Sequence, residues 1–441
     1  MPILKRLGED GQEERREKPK QQPRPTPEII KGRPGRPSIS MRALQERIEA
    51  QVQAEIGRRA DILLEAQDEA ARRQIVRAAG EYVLAIEAVT LTADERAALF
   101  DAVYRNIFSF GPLDAFVADD TVSELMIDGY DTVYIRRQMG EPERVPSYFE
   151  DPAHLQRIVE RIVTGAGGQL WEGQPFIEVG LTMLGRPVRL TLVCPPLSPV
   201  LHVDLRLHPR QMTTMERLRV QGAIAEADEA LLLALARSPY GALIVSDGGG
   251  GKTTLLEALL PHLPDPASCW LVERAAEMRP PPACNRRQAL PATETDPGID
   301  FAARIAEALD QSPATLILDE LRGDEAGPVW RALSMPDGPR CLLVLRSGPD
   351  PRRLRNAFSI LIRKGQPGLP QEAINQALLE RLPFVITTAV EAGSMRVTGV
   401  GEWAADEASG EVTLWPLIRN GEKTGRRPRH RLAVDEGFWG A

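Results

Sequence analysis

Apolar and polar positions change period along the chain, and the changes divide it into segments. Residues 1–40 show almost no apolar periodicity and predict no core. From Met41 onward, Met41, Leu44, Ile48, Val52 and Ile56 recur at three- and four-residue steps, the spacing of one helical face. Helical pattern runs on to about Phe110, with breaks expected near Gly80 and before Thr92. Thr92-Ala-Asp-Glu95 reads as a capping box, in which the threonine oxygen and the glutamate satisfy unpaired amides at a helix start. A small helical bundle over 41–105, used for packing or docking, follows. Between Gly111 and His208 the pattern is mixed. Strand candidates Val133-Tyr-Ile135 and Val188–Val193 flank one helix, Pro152 to Val163, which predicts a compact α+β domain over 106–208 with no chemistry of its own. Residues 209–222 read as a linker into a second core, 223–420. There Gly241-Ala-Leu-Ile-Val245 and Thr315-Leu-Ile-Leu318 have the length of buried strands. The last strands are expected at Phe384–Thr388, Arg396–Val400 and Val412–Trp415. No repeat of 20–50 residues is present.

Composition narrows the class. The chain has 441 residues, 43% hydrophobic and 26% charged, enough apolar content to exclude disorder throughout and enough length for two or three domains. No apolar run approaches the roughly 20 residues of a membrane span. The N-terminal MPILKRLGED is charged within five residues and lacks the apolar stretch of a secretory signal. Cys194, Cys269, Cys284 and Cys341 form no C-x-x-C pair, which argues against a disulfide framework and a thiolate zinc site. The expectation is a soluble, multi-domain, cytosolic chain. Its net charge of −8 gives no global reason to bind nucleic acid. Residues 1–40 hold ten Lys/Arg, six Asp/Glu and seven prolines, and read as a disordered basic tail; the arginine-rich segment 421–441 reads as a basic C-terminal tail.

One motif carries chemistry. After the run ending at Val245 comes Ser246-Asp-Gly-Gly-Gly-Gly-Lys252-Thr253-Thr254, and Leu255–Leu260 reads as a helix. Strand, glycine-rich loop, Lys-Thr and helix make up a phosphate-binding P-loop. Glycines let backbone amides turn towards a phosphate, and the helix N-terminus adds partial positive charge. Gly248, Gly249, Gly250, Gly251, Lys252, Thr253 and Thr254 are therefore the candidate ATP-binding residues, with Lys252 on the β/γ-phosphates and the Thr253 hydroxyl on Mg²⁺. Ser246 stands where the usual pattern begins with glycine. The strand Thr315–Leu318 runs into Asp319 and Glu320, the place where such proteins polarise the attacking water. Glu320 is the general-base candidate and Asp319 a second-shell magnesium partner.

These residues resemble the secretion and pilus ATPase superfamily, most closely its CpaF/TadA branch that powers tad (Flp) pilus assembly. Phe110–Gly129 resembles the opening of that family's N-terminal domain. Glu320-Leu-Arg-Gly-Asp-Glu325 resembles its Walker B segment, which implies a catalytic Glu320 with Arg322 beside it. Leu205-Arg206 falls at its linker, whose basic residues approach the nucleotide, and Glu273-Arg-Ala-Ala-Glu277 falls on its acidic box, adding Glu273 to the catalytic group. The resemblance covers roughly 105–403. It implies a RecA-like α/β core, a hexameric ring or a mixed ring with an active homologue, ATP and Mg²⁺ as cofactors, and a cytoplasmic location at the inner membrane through a platform partner, with no specific nucleic acid.

Departures accompany the likeness. Arg274 replaces the aspartate of the acidic box. The segment Asp310-Gln-Ser-Pro313 lacks two arginines of the family pattern. The histidine box reads Val344-Leu-Arg346-Ser-Gly348, and Leu207-His208 replaces a basic residue and a phenylalanine. The five histidines are His154, His202, His208, His262 and His430, so none can restore that box. Lys252, Thr253 and Glu320 remain, and Arg346 and Arg274 are candidates for the missing charge, since guanidinium also contacts phosphate. Two readings follow: a hydrolysing motor, or a weakly active paralogue serving as a regulatory or structural subunit of the same machine.

Overall fold

The computed structural model describes residues 29–30, 39–58, 68–406 and 410–439. Most of the expected N-terminal tail lies outside them; within it, Ile29–Ile30 (β1) pairs antiparallel with Ile39–Ser40 (β2). The chain divides into two compact units, Met1–Ser109 and Phe110–Ala441.

The first unit contains helices Met41–Arg58, Glu69–Glu87 and Ala93–Phe108 around a core that includes Leu44, Ile48, Val52, Val76, Val83, Leu99 and Val103. The capping box is present: Thr92 Oγ1 accepts from Glu95 N, and the Glu95 carboxylate accepts from Thr92 N at 2.7 Å. The break expected near Gly80 is absent. Gly80 lies inside a helix, where a Cβ would stand 2.2 Å from the Phe100 ring, so glycine there permits close packing rather than a stop.

The second unit holds two sheets. The first comprises β3 (Val122–Asp128), β4 (Thr132–Arg137), β5 (Glu143–Val145), β6 (Phe176–Met183), β7 (Arg186–Val193) and β8 (His202–Leu207), antiparallel in the order β5-β4-β3-β8-β7-β6. The helix Pro152–Gly165 shares a core with one face of this sheet. Strand side chains alternate between faces. Val203, Leu205 and Leu207 of β8, Val188, Leu190 and Leu192 of β7, and Ile177 and Val179 of β6 are buried in that core. Glu178, Arg189 and Arg206 therefore share the opposite face, where Arg189 and Arg206 are register partners.

The second sheet contains β9 (Ala242–Ser246), β10 (Cys269–Glu273), β11 (Asn285–Gln288), β12 (Thr315–Leu321), β13 (Arg340–Arg346), β14 (Phe384–Glu391), β15 (Ser394–Ala405), β16 (Val412–Arg419) and β17 (Glu422–Lys423). Its order is β11-β10-β12-β13-β9-β14-β15-β16-β17. The six strands from β11 to β14 are mutually parallel, and the last three run antiparallel. Alternation sends Ala242 and Ile244 of β9 to one apolar layer and Leu243 and Val245 to the other, so both faces are covered. This is an α/β, RecA-like core, and in such sheets ligands bind at the carboxyl ends of the strands.

The expected C-terminal tail is instead an ordered strap over much of its length. Fully buried Glu402 on β15 accepts from Arg429 N at 2.7 Å and His430 N at 2.9 Å, and lies 2.7 Å from His430 Nδ1. The His430 ring packs edge-on against Tyr240, with centroids 4.7 Å apart. A buried carboxylate needs donors, and this segment supplies them. Among the described residues, no helix is long and apolar enough to cross a membrane.

Candidate functional site

The loop joins β9 to the helix Lys252–Leu259. Gly249 and Gly251 both have φ of 77°, a left-handed geometry that favours glycine, and Gly251 caps the helix. A Cβ on Gly250 would lie 2.3 Å from Ser246 Oγ, so the serine in the first position is accommodated because glycine faces it. Lys252 is buried and bent back over the loop. Its Nζ donates to Ser246 Oγ at 3.1 Å and reaches Ser246 O and Asp247 O at 3.4 Å each. Burial lowers the ammonium pKa, as do Arg206 and Arg346, against Glu320 and Asp247. Lys252, Glu320, Arg206 and Arg346 therefore share one electrostatic neighbourhood.

On β12, Glu320 is partly buried and paired. Arg322 Nε and Nη2 donate to Glu320 Oε2 at 3.1 and 2.9 Å. The same guanidinium grips Glu178 of β6 through two bonds, 2.7 and 3.1 Å, and so bridges the two sheets. Burial alone would raise the Glu320 carboxyl, but Arg322, Arg189 and Lys252 outweigh it and hold it below its ordinary value. The loop after Glu320 is braced by Glu325, which is fully buried and accepts from Arg322 N at 2.7 Å and Gly323 N at 2.9 Å.

Three expectations change here. Glu273, expected among the catalytic groups, is fully buried. Its Oε1 accepts from Glu277 N and Met278 N and its Oε2 from Arg286 Nε at 2.6 Å, so both oxygens hold the fold. Burial pushes its carboxyl up to about 7 against the pull of Arg286. Asp319, expected near magnesium, accepts from Arg274 N at 2.9 Å and Glu320 N at 2.7 Å. Burial, then Glu273 and Glu277, raise its pKa well above the usual range, which suits a brace between segments better than a cation ligand. Arg274 is no free phosphate contact either. It donates to Asp324 at 2.8 and 2.5 Å and to Glu325 at 2.6 Å, and stacks 4.4 Å from the Phe301 ring centroid. The arginine in the acidic box is thus the structural partner of the acids that follow Glu320.

The α+β domain, expected to lack chemistry, presents Glu178, Arg189 and Arg206 to the junction. Arg189 Nη1 lies 2.9 Å from Glu277 Oε1. The first sheet packs closely on the loop that follows β10, since a Cβ on Gly180 of β6 would stand 1.9 Å from Ala276 N. Alternation in β6, β7 and β8 is the sequence signal for this face, but it required the strand boundaries. A small cavity of about 20 Å³, room for about one water, is lined in part by Thr253, Thr254, Glu257, Glu277 and His208.

His208 is buried at this junction, 3.4 Å from Glu277 Oε2. Burial lowers its pKa from 6.5 to about 4, aided by Arg206, Arg189 and Arg279 and opposed by Glu277. The unfolded chain takes up this proton near pH 6.5 and the folded chain only near pH 4, so its contribution is complete above 6.5 and lost as pH falls through 4. Between about pH 7.5 and about pH 4.5, wild type is expected to lose about 2–3 kcal/mol more folding stability than His208→Gln. Urea midpoints at the two pH values measure this; equal losses would refute it.

The residues fit a magnesium-bound nucleotide. A Cβ at Gly250 would clash with Ser246 and one at Gly251 with Met395, so the loop needs glycine at both, and Lys252 reaches only the loop's own oxygens. Among the described residues no cluster of three His, Cys, Asp or Glu side chains forms a self-contained metal site.

With this geometry the relatives can be placed. Residues 174–334 match the family model described as Type II/IV secretion system protein. The matched segment runs from β6 through the helix Ala326–Ser334 and contains the loop, Lys252 and Glu320. Two Mycobacterium tuberculosis proteins named as conjugal transfer proteins, from strains CDC 1551 and H37Rv, are each 27% identical over 319 residues, covering 70% of this chain and 89% of theirs. Among solved structures, the VirB11 ATPase of the Brucella suis type IV secretion system is 19% identical, with a TM-score of 0.32, covering 66% of this chain and 95% of that one. The Legionella pneumophila ATPase DotB is 15% identical, with a TM-score of 0.47, covering 68% and 82%. At such scores the RecA-like assignment rests on the strand order.

Proposed function

We propose that the chain is an ATP-binding and ATP-hydrolysing motor subunit of a type II/IV secretion or tad-type pilus assembly machine. The observation that supports it is the convergence of Lys252, Glu320 and Arg206 at the carboxyl end of a RecA-like sheet, within and beside the matched segment. The loop amides and Lys252 bind the phosphates. Thr253 would hold Mg²⁺, which supplies charge neutralisation there when bound. Glu320 takes the proton of the attacking water. Arg322 links that carboxylate to Glu178, so a shift of the N-terminal sheet changes how tightly Glu320 is held. That linkage is our reading of how turnover couples to domain closure. The same reading includes a hexameric or mixed ring, cytoplasmic, working on an inner-membrane platform and on no specific nucleic acid.

A second reading, a nucleotide-sensing subunit with little turnover, is favoured by the Arg322 pairing, which weakens Glu320 as a base. Wild type is expected to bind a fluorescent ATP analogue with Mg²⁺, and Lys252→Ala to weaken that binding by at least about tenfold. Equal binding by the variant, or none by wild type, would sink the nucleotide reading.

A further inference from the structure

The strand order sets β13 between β9, which leads into the phosphate loop, and β12, which carries Glu320. Arg346 is the last residue of β13 and pairs in register with Ser246, where the loop begins. The next residue fixes the backbone there, since Ser347 N donates to Ser246 O at 3.1 Å. The Arg346 guanidinium extends over the loop: a Cβ at Gly248 would lie 3.0 Å from its Nη2.

Its neighbours at the junction have acids. Arg322 holds Glu178 and Glu320, Arg274 holds Asp324 and Glu325, and Arg189 faces Glu277. Among the described residues, the Arg346 side chain makes no ion pair or hydrogen bond, and Arg206 on the facing sheet likewise makes none. Asp247 is the one acid of the loop, and it forms no ion pair with Arg346. Arg206 and Arg346 both disfavour the Lys252 ammonium, and an anion entering between them relieves that repulsion.

We infer that Arg346 is the contact for the terminal phosphate of a nucleoside triphosphate, an inference that rests on the nucleotide reading above. The loop amides and the helix N-terminus at Gly251–Thr253 surround the inner phosphate. Arg346 stands on the side of the loop that faces Glu320, where the terminal phosphate must lie for water to reach it. Guanidinium suits this place, because it stays charged and presents several donors to phosphate oxygens. Arg346 thereby distinguishes a triphosphate from a diphosphate.

Calorimetric titration of the full chain with Mg-ADP and with Mg-AMP-PNP tests this for wild type, Arg346→Ala and Arg346→Lys. In Arg346→Ala the AMP-PNP affinity is expected to fall by about tenfold or more while ADP affinity stays within about twofold, as loss of one charged contact predicts. Arg346→Lys is expected to recover part of the loss. An equal fall for both nucleotides, or no change in either, overturns the role of Arg346 and leaves the nucleotide reading standing. If wild type binds neither nucleotide, the nucleotide reading fails and this inference with it.

Discussion

Replacing Glu320 with glutamine is expected to cut ATP hydrolysis by roughly 10²–10⁴-fold while nucleotide binding stays within about threefold. Glu320 sits at the carboxyl end of a core strand, within the electrostatic reach of Lys252. Its carboxylate is ionised at neutral pH, because Arg322, Arg189 and Lys252 outweigh the effect of burial. Glutamine keeps the size and can still accept from Arg322 but cannot take a proton from water. Phosphate release and nucleotide binding, measured together, separate the outcomes. Turnover that survives the substitution would remove Glu320 as the base. Wild type that binds nucleotide without turning it over would favour the sensing subunit, with Arg322 keeping Glu320 from acting.

Arg186→Met is expected to destabilise the second unit by about 3–5 kcal/mol. Arg186 is 2% exposed and has no carboxylate partner among its hydrogen bonds. Its guanidinium donates to the carbonyls of Val117, Asp119, Val122, Leu207 and His208 at 3.2, 2.9, 2.8, 3.5 and 3.0 Å. It thereby joins the start of β3 to the end of β8, just before the chain passes to the second sheet. Methionine fills some of the space and removes all five bonds; Asp119 O keeps Val122 N and Val117 O keeps Arg210 Nη2, and the remaining acceptors lose this donor. Urea unfolding followed by circular dichroism gives the change, and a loss under about 1 kcal/mol would show that water replaces the guanidinium at this site.

Much of the site was legible in the chain because it depends on local order. A strand-length apolar run, a glycine loop and Lys-Thr are contiguous, and so are the strand and acids ending at Glu320. The capping box at Thr92 was legible for the same reason, since its bonds span three residues. Gly80 falls inside a helix rather than ending one, because a glycine that breaks a helix and one that lets a ring approach have the same letter. The distinction lies in Phe100, twenty residues on. The strap at 424–439 was read as a solvated tail because its anchor, Glu402, is a distant residue and its arginines look like surface charge.

The sequence by itself determined the α/β class, the glycine loop ending in Lys252, the strand that ends in Asp319 and Glu320, and the helical bundle before them. Each follows from hydrophobic period or from contacts a few residues apart. Only the tertiary structure decided how the charged residues divide between structure and chemistry. Arg274 and Arg346 look equivalent in the chain, yet one is consumed by Asp324 and Glu325 while the other stands over Gly248 with no hydrogen bond or ion pair among the described residues. Glu273 and Glu320 are both strand-end acids, yet one is saturated by amides and Arg286 and the other faces the junction. The face formed by Glu178, Arg189 and Arg206 likewise exists only once β6, β7 and β8 are in register. A charge's role depends on which opposite charges and donors lie within a few ångströms, and here those partners lie anywhere from 2 residues away, as Arg322 from Glu320, to 144 residues away, as Arg322 from Glu178.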